Sequence, residues 1–251
     1  MDYNTRYNHS MEVDRLHDWQ VSMAQAMDIQ RELAEMVSTA GKVIAPRYIA
    51  GVDISVPRTG AATGAVVILS YPGLELVETS IVSDRLSIPY IPGLLSFRES
   101  PLILAACQAL TIAPDLILVD GQGVAHPRRI GLASHLGLLL KTPTIGCAKS
   151  RLCGEYEMPG DNAGSYSDLR DRGEVIGAVL RTRAGIKPIY VSVGHRIDLE
   201  NAIHWVMGCC RGLRLPEPTR LAHLAAGGNL KSGKGAVIYR TGDQSKVRSG
   251  T

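Results

Sequence analysis

Two aspartates and a lysine stand where apolar runs give way to loops, and those residue types could handle a metal ion and a phosphate. Asp120 closes the run Leu116 to Val119 and is followed by Gly121, Gln122 and Gly123. Four apolar residues ending on an acid are how a buried strand delivers a carboxylate into a loop. Asp53 is the single charge inside YIAGVDISV, a strand-like run, where a lone carboxylate is seldom buried without a partner or a metal. Lys149 ends the run from Pro143, and Glu99 supplies a third acid. Hard oxygen ligands of this kind suit magnesium or manganese, the usual apparatus of phosphodiester chemistry, with Lys149 as a point charge on the same phosphate. The plainer reading is that Asp53 and Asp120 cap loops or pair with surface arginines, and spacing alone leaves both open.

The elements around these residues give them a common edge. Leu116 to Val119, a Gly-rich loop, a helix expected to start at His126-Pro127 and run to Leu140, and a strand from Pro143 to Ala148 form a βαβ unit. Right-handed crossover then leaves Asp120 and Lys149 at the same carboxyl edge of a parallel sheet. Upstream, Tyr48 to Val56, Ala65 to Tyr71 and Leu74 to Val82 read as an antiparallel meander, and Leu102 to Leu110 as a helix crossing to the Asp120 strand. Three antiparallel strands, helix, strand, helix, strand, with the fourth strand beside the first, is the order of a ribonuclease H-like fold. The expected class is therefore α/β, a mixed sheet flanked by helices, with Asp53 and Asp120 on adjacent strands.

The remaining segments complete that frame. Apolar residues at three- and four-residue spacing from Trp19 to Val37 predict an amphipathic helix, started by Asp18 and ended by Gly41. Residues 151 to 173 read as a long loop with room for a short helix. Strands follow at Glu174 to Arg183 and Pro188 to Val193, then helices at Asp198 to Cys210 and Pro216 to Leu224. Residues 1 to 16 are expected to fray, residues 1 to 226 to form a single domain, and residues 227 to 251 to form a flexible basic tail. Between Pro89 and Pro92, which fix φ on either side, Tyr90 and Ile91 occupy a loop tip. They either fold inward in a rigid turn or stand out as a wedge that unstacks bases.

Composition narrows the function classes. The chain has 251 residues, 45% hydrophobic content and a formal net charge of +3, enough for a sizeable core and mildly favourable to a polyanion. Five cysteines form no C-x-x-C pair and no amino-terminal signal pattern is present, which points to reduced thiols and a cytoplasmic location. No apolar run reaches the roughly 20 residues of a membrane span. Gly228 to Lys234 approaches the phosphate-cradling G-x-x-x-x-G-K-[ST] loop, but Gly235 replaces the hydroxyl residue and no apolar strand precedes it. His126 and His135 are out of phase for a shared ion, and no G-x-S-x-G supports a serine nucleophile.

Six stretches in register, GVDISV, PYIPGLLSFRESP, LVDGQGVAHPRRIGLASHLG, PTIGCAKSRLCG, VGHRIDLENAIHWV and RLPEPTRLAH, resemble the endonuclease V family, repair nucleases that act at deoxyinosine. The resemblance covers about residues 45 to 225. It implies Asp53 and Asp120 as magnesium ligands (manganese as a substitute), Glu99 and His223 completing the site, and Lys149 assisting at the phosphate. Pro89, Tyr90, Ile91 and Pro92 match the family's wedge, with Tyr90 filling the gap left by the lesion. Gly93, Leu95, Gly121, His126 and Gly131 match positions lining its base pocket. Backbone amides and carbonyls at such glycines satisfy O6 and N1–H of hypoxanthine, a pattern that adenine reverses. Family members cut the second phosphodiester 3′ to the lesion, leaving 3′-hydroxyl and 5′-phosphate. The implied partner is DNA containing deoxyinosine, with single-stranded nucleic acid or RNA as further substrates, and the implied state is a monomer. Two positions depart from the pattern: Gln122 stands where many relatives carry histidine, and the position of His223 is an aspartate in some relatives.

Overall fold

The structure is a computed structural model that describes residues 11–58, 60–230 and 237–241. In chain order the elements are α1 (Met23–Glu35), β1 (Tyr48–Ser55), β2 (Ala62–Ser70), β3 (Leu76–Asp84), α2 (Leu95–Gln108), β4 (Leu116–Val119), α3 (Leu132–Leu140) and β5 (Thr144–Ala148). They continue as β6 (Tyr166–Asp171), β7 (Glu174–Leu180), β8 (Ile189–His195), α4 (Leu199–Gly208), α5 (Glu217–Ala226) and β9 (Val237–Thr241). The strands form one mixed sheet in the order β6-β7-β8-β5-β4-β1-β2-β3-β9. β1 pairs antiparallel with β2 and parallel with β4, and β4 pairs parallel with β5, which is the ribonuclease H-like arrangement expected from the order of elements.

Alternation along the central strands divides the core into two faces. Ala50, Val52, Ile117 and Val119 point toward α2 and α3, packing with Leu102, Ile103 and Leu136. Ile49, Leu116 and Leu118 point to the opposite face, packing with Trp205 and Val206 of α4. α5 closes this second face over β1 and β2 through Ala222 and Ala225. Its approach is close: a Cβ built on Gly51 of β1 would lie 1.9 Å from the Pro218 carbonyl oxygen. Only glycine admits that contact, and it brings His223 to the carboxyl end of β1.

Several boundaries differ from expectation. The α3 helix starts at Leu132, not at His126-Pro127, because residues 124 to 131 form a tight loop in which Gly131 N–H donates to Gly123 O and Ala133 N–H to Gln122 O. α1 is capped by Ser22, whose hydroxyl and Gln25 form a reciprocal capping box, rather than by Asp18, and it ends at Met36 rather than Gly41. α2 begins seven residues earlier than predicted and carries Glu99 and Pro101 inside it. The loop expected over 151 to 173 contains an edge strand, β6, whose pattern is faint because Leu169 is its one buried residue. Arg172 and Gly173, both at positive φ, turn it into β7.

Both termini depart as well. Residues expected to fray include Met11, buried in the core, and Asp14, whose N–H donates to Leu139 O at 2.8 Å and whose carboxylate pairs with Lys141. Val237–Thr241, inside the expected flexible tail, pairs in parallel with β3. Residues 1–10, 231–236 and 242–251, which belong to those two expectations, lie outside the described residues.

Candidate metal and nucleic-acid site

The site lies at the carboxyl ends of β1, β4 and β5. Because β1 and β4 run parallel, with Asp120 N–H donating to Val52 O at 2.9 Å, their next residues emerge side by side. Asp53 is buried; its Oδ1 accepts from Ile54 N–H at 2.8 Å and its Oδ2 lies 2.7 Å from Nδ1 of the exposed His223. Asp120 and Lys149, which the βαβ reading put at one carboxyl edge, form an ion pair at the ends of β4 and β5. One ligand atom each from Asp53, Asp120 and His223 lie within 4.8 Å of one another. Burial, and then the Asp53 charge, push the Asp120 carboxyl above its usual range, while Lys149 and His223 pull it back. Two acids and an imidazole converging at one strand edge are a donor set that fits a divalent cation.

Glu99 stands outside that trio, on α2. Burial pushes its pKa up to about 8; Arg98 opposes that shift, and the nearby charges of Asp53 and Asp120 add to it.

A cavity of about 320 Å³ opens beside the acids and shares Asp120 and Lys149 with them. Gly93, Leu95, Gly121, His126 and Gly131, the five residues expected to line a base pocket, all border it, as does Tyr90. The His126 ring is held neutral, its pKa lowered to about 4 by burial and by Arg128. At the rim, Ile91 packs partly against the cluster of Leu94 and Phe97, whereas Tyr90 is 65% exposed with the Arg98 guanidinium 5.9 Å from its ring. Of the two tip residues Ile91 is turned inward and Tyr90 outward, and Pro89 and Pro92 flank them on the surface.

Sequence reasoning missed the residues that hold this region together. Gln122 Nε2 donates to Ser150 O at 2.9 Å, joining the loop after β4 to the loop after β5. Arg214 donates to the carbonyls of Lys149, Lys187 and Pro188, fixing the backbone that carries Lys149. Gln30 and Arg128 reach the Gly93 carbonyl from α1 and from the loop after β4. No local pattern distinguishes these long polar side chains from solvated surface ones, because their partners are backbone oxygens distant in sequence.

Comparison with known proteins agrees with this geometry. Residues 31–224 match the profile of the endonuclease V family. The endonuclease V of Dehalococcoides mccartyi is 55% identical over 218 residues, covering 86% of this chain and 98% of that protein, and that of Gloeobacter violaceus is 53% identical over 212 residues, covering 83% and 86%. Among solved structures, the Bacillus subtilis endonuclease V is 33% identical with a TM-score of 0.82, covering 87% of this chain and 96% of that one. The Ciona intestinalis endonuclease V, solved in complex with a 23mer DNA containing an inosine followed by a ribo-adenosine, is 31% identical with a TM-score of 0.72, covering 86% and 98%. With strands, Asp-Asp-His cluster and cavity in this arrangement, and with relatives alike over nearly their whole length, the chain belongs to the endonuclease V family of nucleases.

Proposed function

We propose that the protein is a magnesium-dependent endodeoxyribonuclease that engages deoxyinosine in DNA and hydrolyses the second phosphodiester bond 3′ to it, leaving 3′-hydroxyl and 5′-phosphate. The observation that carries this reading is the double membership of Asp120, which belongs both to the cluster with Asp53 and His223 and to the cavity wall. A base held in the cavity leaves the strand running past the acids, so reading and cutting occur at adjacent but separate places.

In this reading Asp53, Asp120 and His223 hold the cation, with Glu99 completing the acidic set. A divalent ion bound there would acidify a water and neutralise charge on the scissile phosphate. Lys149, beside Asp120 at the same edge, would present its ammonium to the phosphate. Tyr90, on a turn stiffened by Pro89 and Pro92, fills the stack from which the lesion leaves. Gly93, Leu95, Gly121, His126 and Gly131 enclose the base, and the neutral His126 ring adds no charge to a pocket for a neutral base. No helix among the described residues is long and apolar enough to cross a membrane; the reading is of a monomer acting in the cytoplasm.

The test is a labelled duplex carrying one hypoxanthine, incubated with and without magnesium beside an adenine control and a matched RNA. A magnesium-dependent nick one nucleotide beyond the lesion's 3′ neighbouring bond is expected. No nick, or a nick on the 5′ side, overturns the proposal. Cleavage of the RNA alone makes the protein an inosine endoribonuclease. Binding without turnover makes it a reader of inosine or distorted DNA.

A further inference from the structure

The carbonyl of Gly93 sits at the base of the Pro89 to Pro92 turn and is approached by three donors from two elements. Gln30 Nε2 on α1 donates to it at 3.0 Å, and the Arg128 guanidinium at 2.7 Å. The third is His126, 3.1 Å away, and its tautomer is fixed by its surroundings: Nδ1 accepts from Arg128 N–H, so Nε2 carries the proton and donates to Gly93 O.

Gln30 is fully buried, and its amide is completely used. Nε2 also reaches Ser96 Oγ at 3.3 Å, and Oε1 accepts from Arg128 Nε at 2.6 Å. Since arginine only donates, the amide orientation is determined. Gly93 itself has φ +79°, and a Cβ there would lie 2.8 Å from the Arg128 guanidinium. The next amide, Leu94 N–H, closes the turn onto Ile91 O at 3.0 Å. His126 and Gly93 meanwhile border the cavity.

We propose that Gln30, Arg128 and His126 clamp the Gly93 carbonyl so that the wedge turn and the base cavity move as one body, which makes Gln30 and Arg128 positioning residues for lesion engagement. The inference rests on the function proposed above, and it extends the site to Gln30, just outside the residues matched by the family profile. The physical reason is mechanical. Unstacking a base step costs a few kcal/mol, and a side chain on a yielding turn would be pushed back instead of displacing the base. A single strand presents no paired stack to open, so it places less demand on the clamp.

Two variants, Gln30→Met and Arg128→Gln, test it with two measurements. Amide hydrogen exchange of Leu94 is expected to speed up about tenfold in each, the effect of losing roughly one net hydrogen bond. KM for a hypoxanthine duplex is expected to rise about tenfold, with kcat and the KM for a hypoxanthine single strand each within about twofold of wild type. The double variant should add little to either, since both side chains act through one oxygen. Unchanged Leu94 exchange overturns the clamp whatever the enzymology. So does an equal loss on duplex and single strand, which is what a merely structural role predicts. If Gln30→Met fails to fold, Arg128→Gln decides on the same readouts. Absence of wild-type nicking fails the function and leaves the exchange measurement to judge the clamp.

Discussion

His223 Nδ1 lies 2.7 Å from Asp53 Oδ2, and that contact joins the last described helix to the first strand of the sheet. The two residues are 170 positions apart, and their meeting depends on α5 lying directly on Gly51, two residues before Asp53. An extra methyl at that crossing should therefore damage the site from outside it.

Gly51→Ala is expected to lift α5, because its Cβ would lie 1.9 Å from the Pro218 carbonyl oxygen, a backbone atom that cannot rotate away. The cost should be about 1–3 kcal/mol, typical of overpacking. At this chain length that corresponds to a thermal midpoint lower by roughly 2–12 °C. Calorimetry measures the loss, and magnesium affinity should fall with it as His223 withdraws from Asp53. A variant as stable as the parent would show that the helix can slide.

Asp120→Asn tests the acid shared by trio and cavity. Cleavage of a hypoxanthine duplex is expected to fall at least about a hundredfold, the scale of removing a principal electrostatic group. Lesion binding in a gel shift should persist, since the cavity walls are otherwise intact. Cleavage at the parental rate would remove Asp120 from the chemistry.

Tyr90→Ala should separate engagement from folding. The ring is 65% exposed, so stability should stay within about 0.5 kcal/mol of the parent. Fluorescence of 2-aminopurine placed opposite the lesion should lose its unstacking signal on addition of the variant. A variant that unstacks the duplex as well as the parent would make the tip an ordinary turn.

Glu99 gives the metal-free protein a pH dependence of definite sign. Its folded pKa is about 8 against an ordinary 4.5, so between those values the folded state binds more protons than the unfolded state. Stability is thus present below pH 4.5 and lost as pH rises through about 8. Buried His126 and His195, both lowered to about 4 by burial, act in the opposite direction below their ordinary 6.5. The clean window lies above 6.5. Thermal midpoints in a chelator are expected to fall from pH 6.5 to 9 in the parent and much less in Glu99→Gln. Added magnesium should reverse the fall by binding the folded state. Parallel curves for parent and variant would contradict the burial of a charged Glu99.

Sequence by itself determined the features that depend on local pattern. The run Leu116 to Val119 is apolar on both faces because it is a central strand, and its abrupt end marked Asp120; the meander and the crossover then required Asp53 beside it. The same logic put Lys149 at the end of β5 and Tyr90 on a stiffened turn. Short-range signals were less dependable where tertiary contacts set the boundary. Pro127 suggested a helix start, but hydrogen bonds from Gly131 and Ala133 back to Gly123 and Gln122 hold that segment as a loop. The helical pattern reads from Leu102, yet α2 starts at Leu95, runs through Pro101 and carries Glu99 into the interior. The resemblance implied that His223 completes the site, but only the tertiary structure put its ring against Asp53 Oδ2, Gln30 on the Gly93 carbonyl and Arg214 on that of Lys149. Those contacts join polar side chains to partners 63 to 170 residues away, and pairing at that separation leaves no periodicity in the chain because it is set by how α1 packs on α2 and α3 and how α5 packs on the sheet.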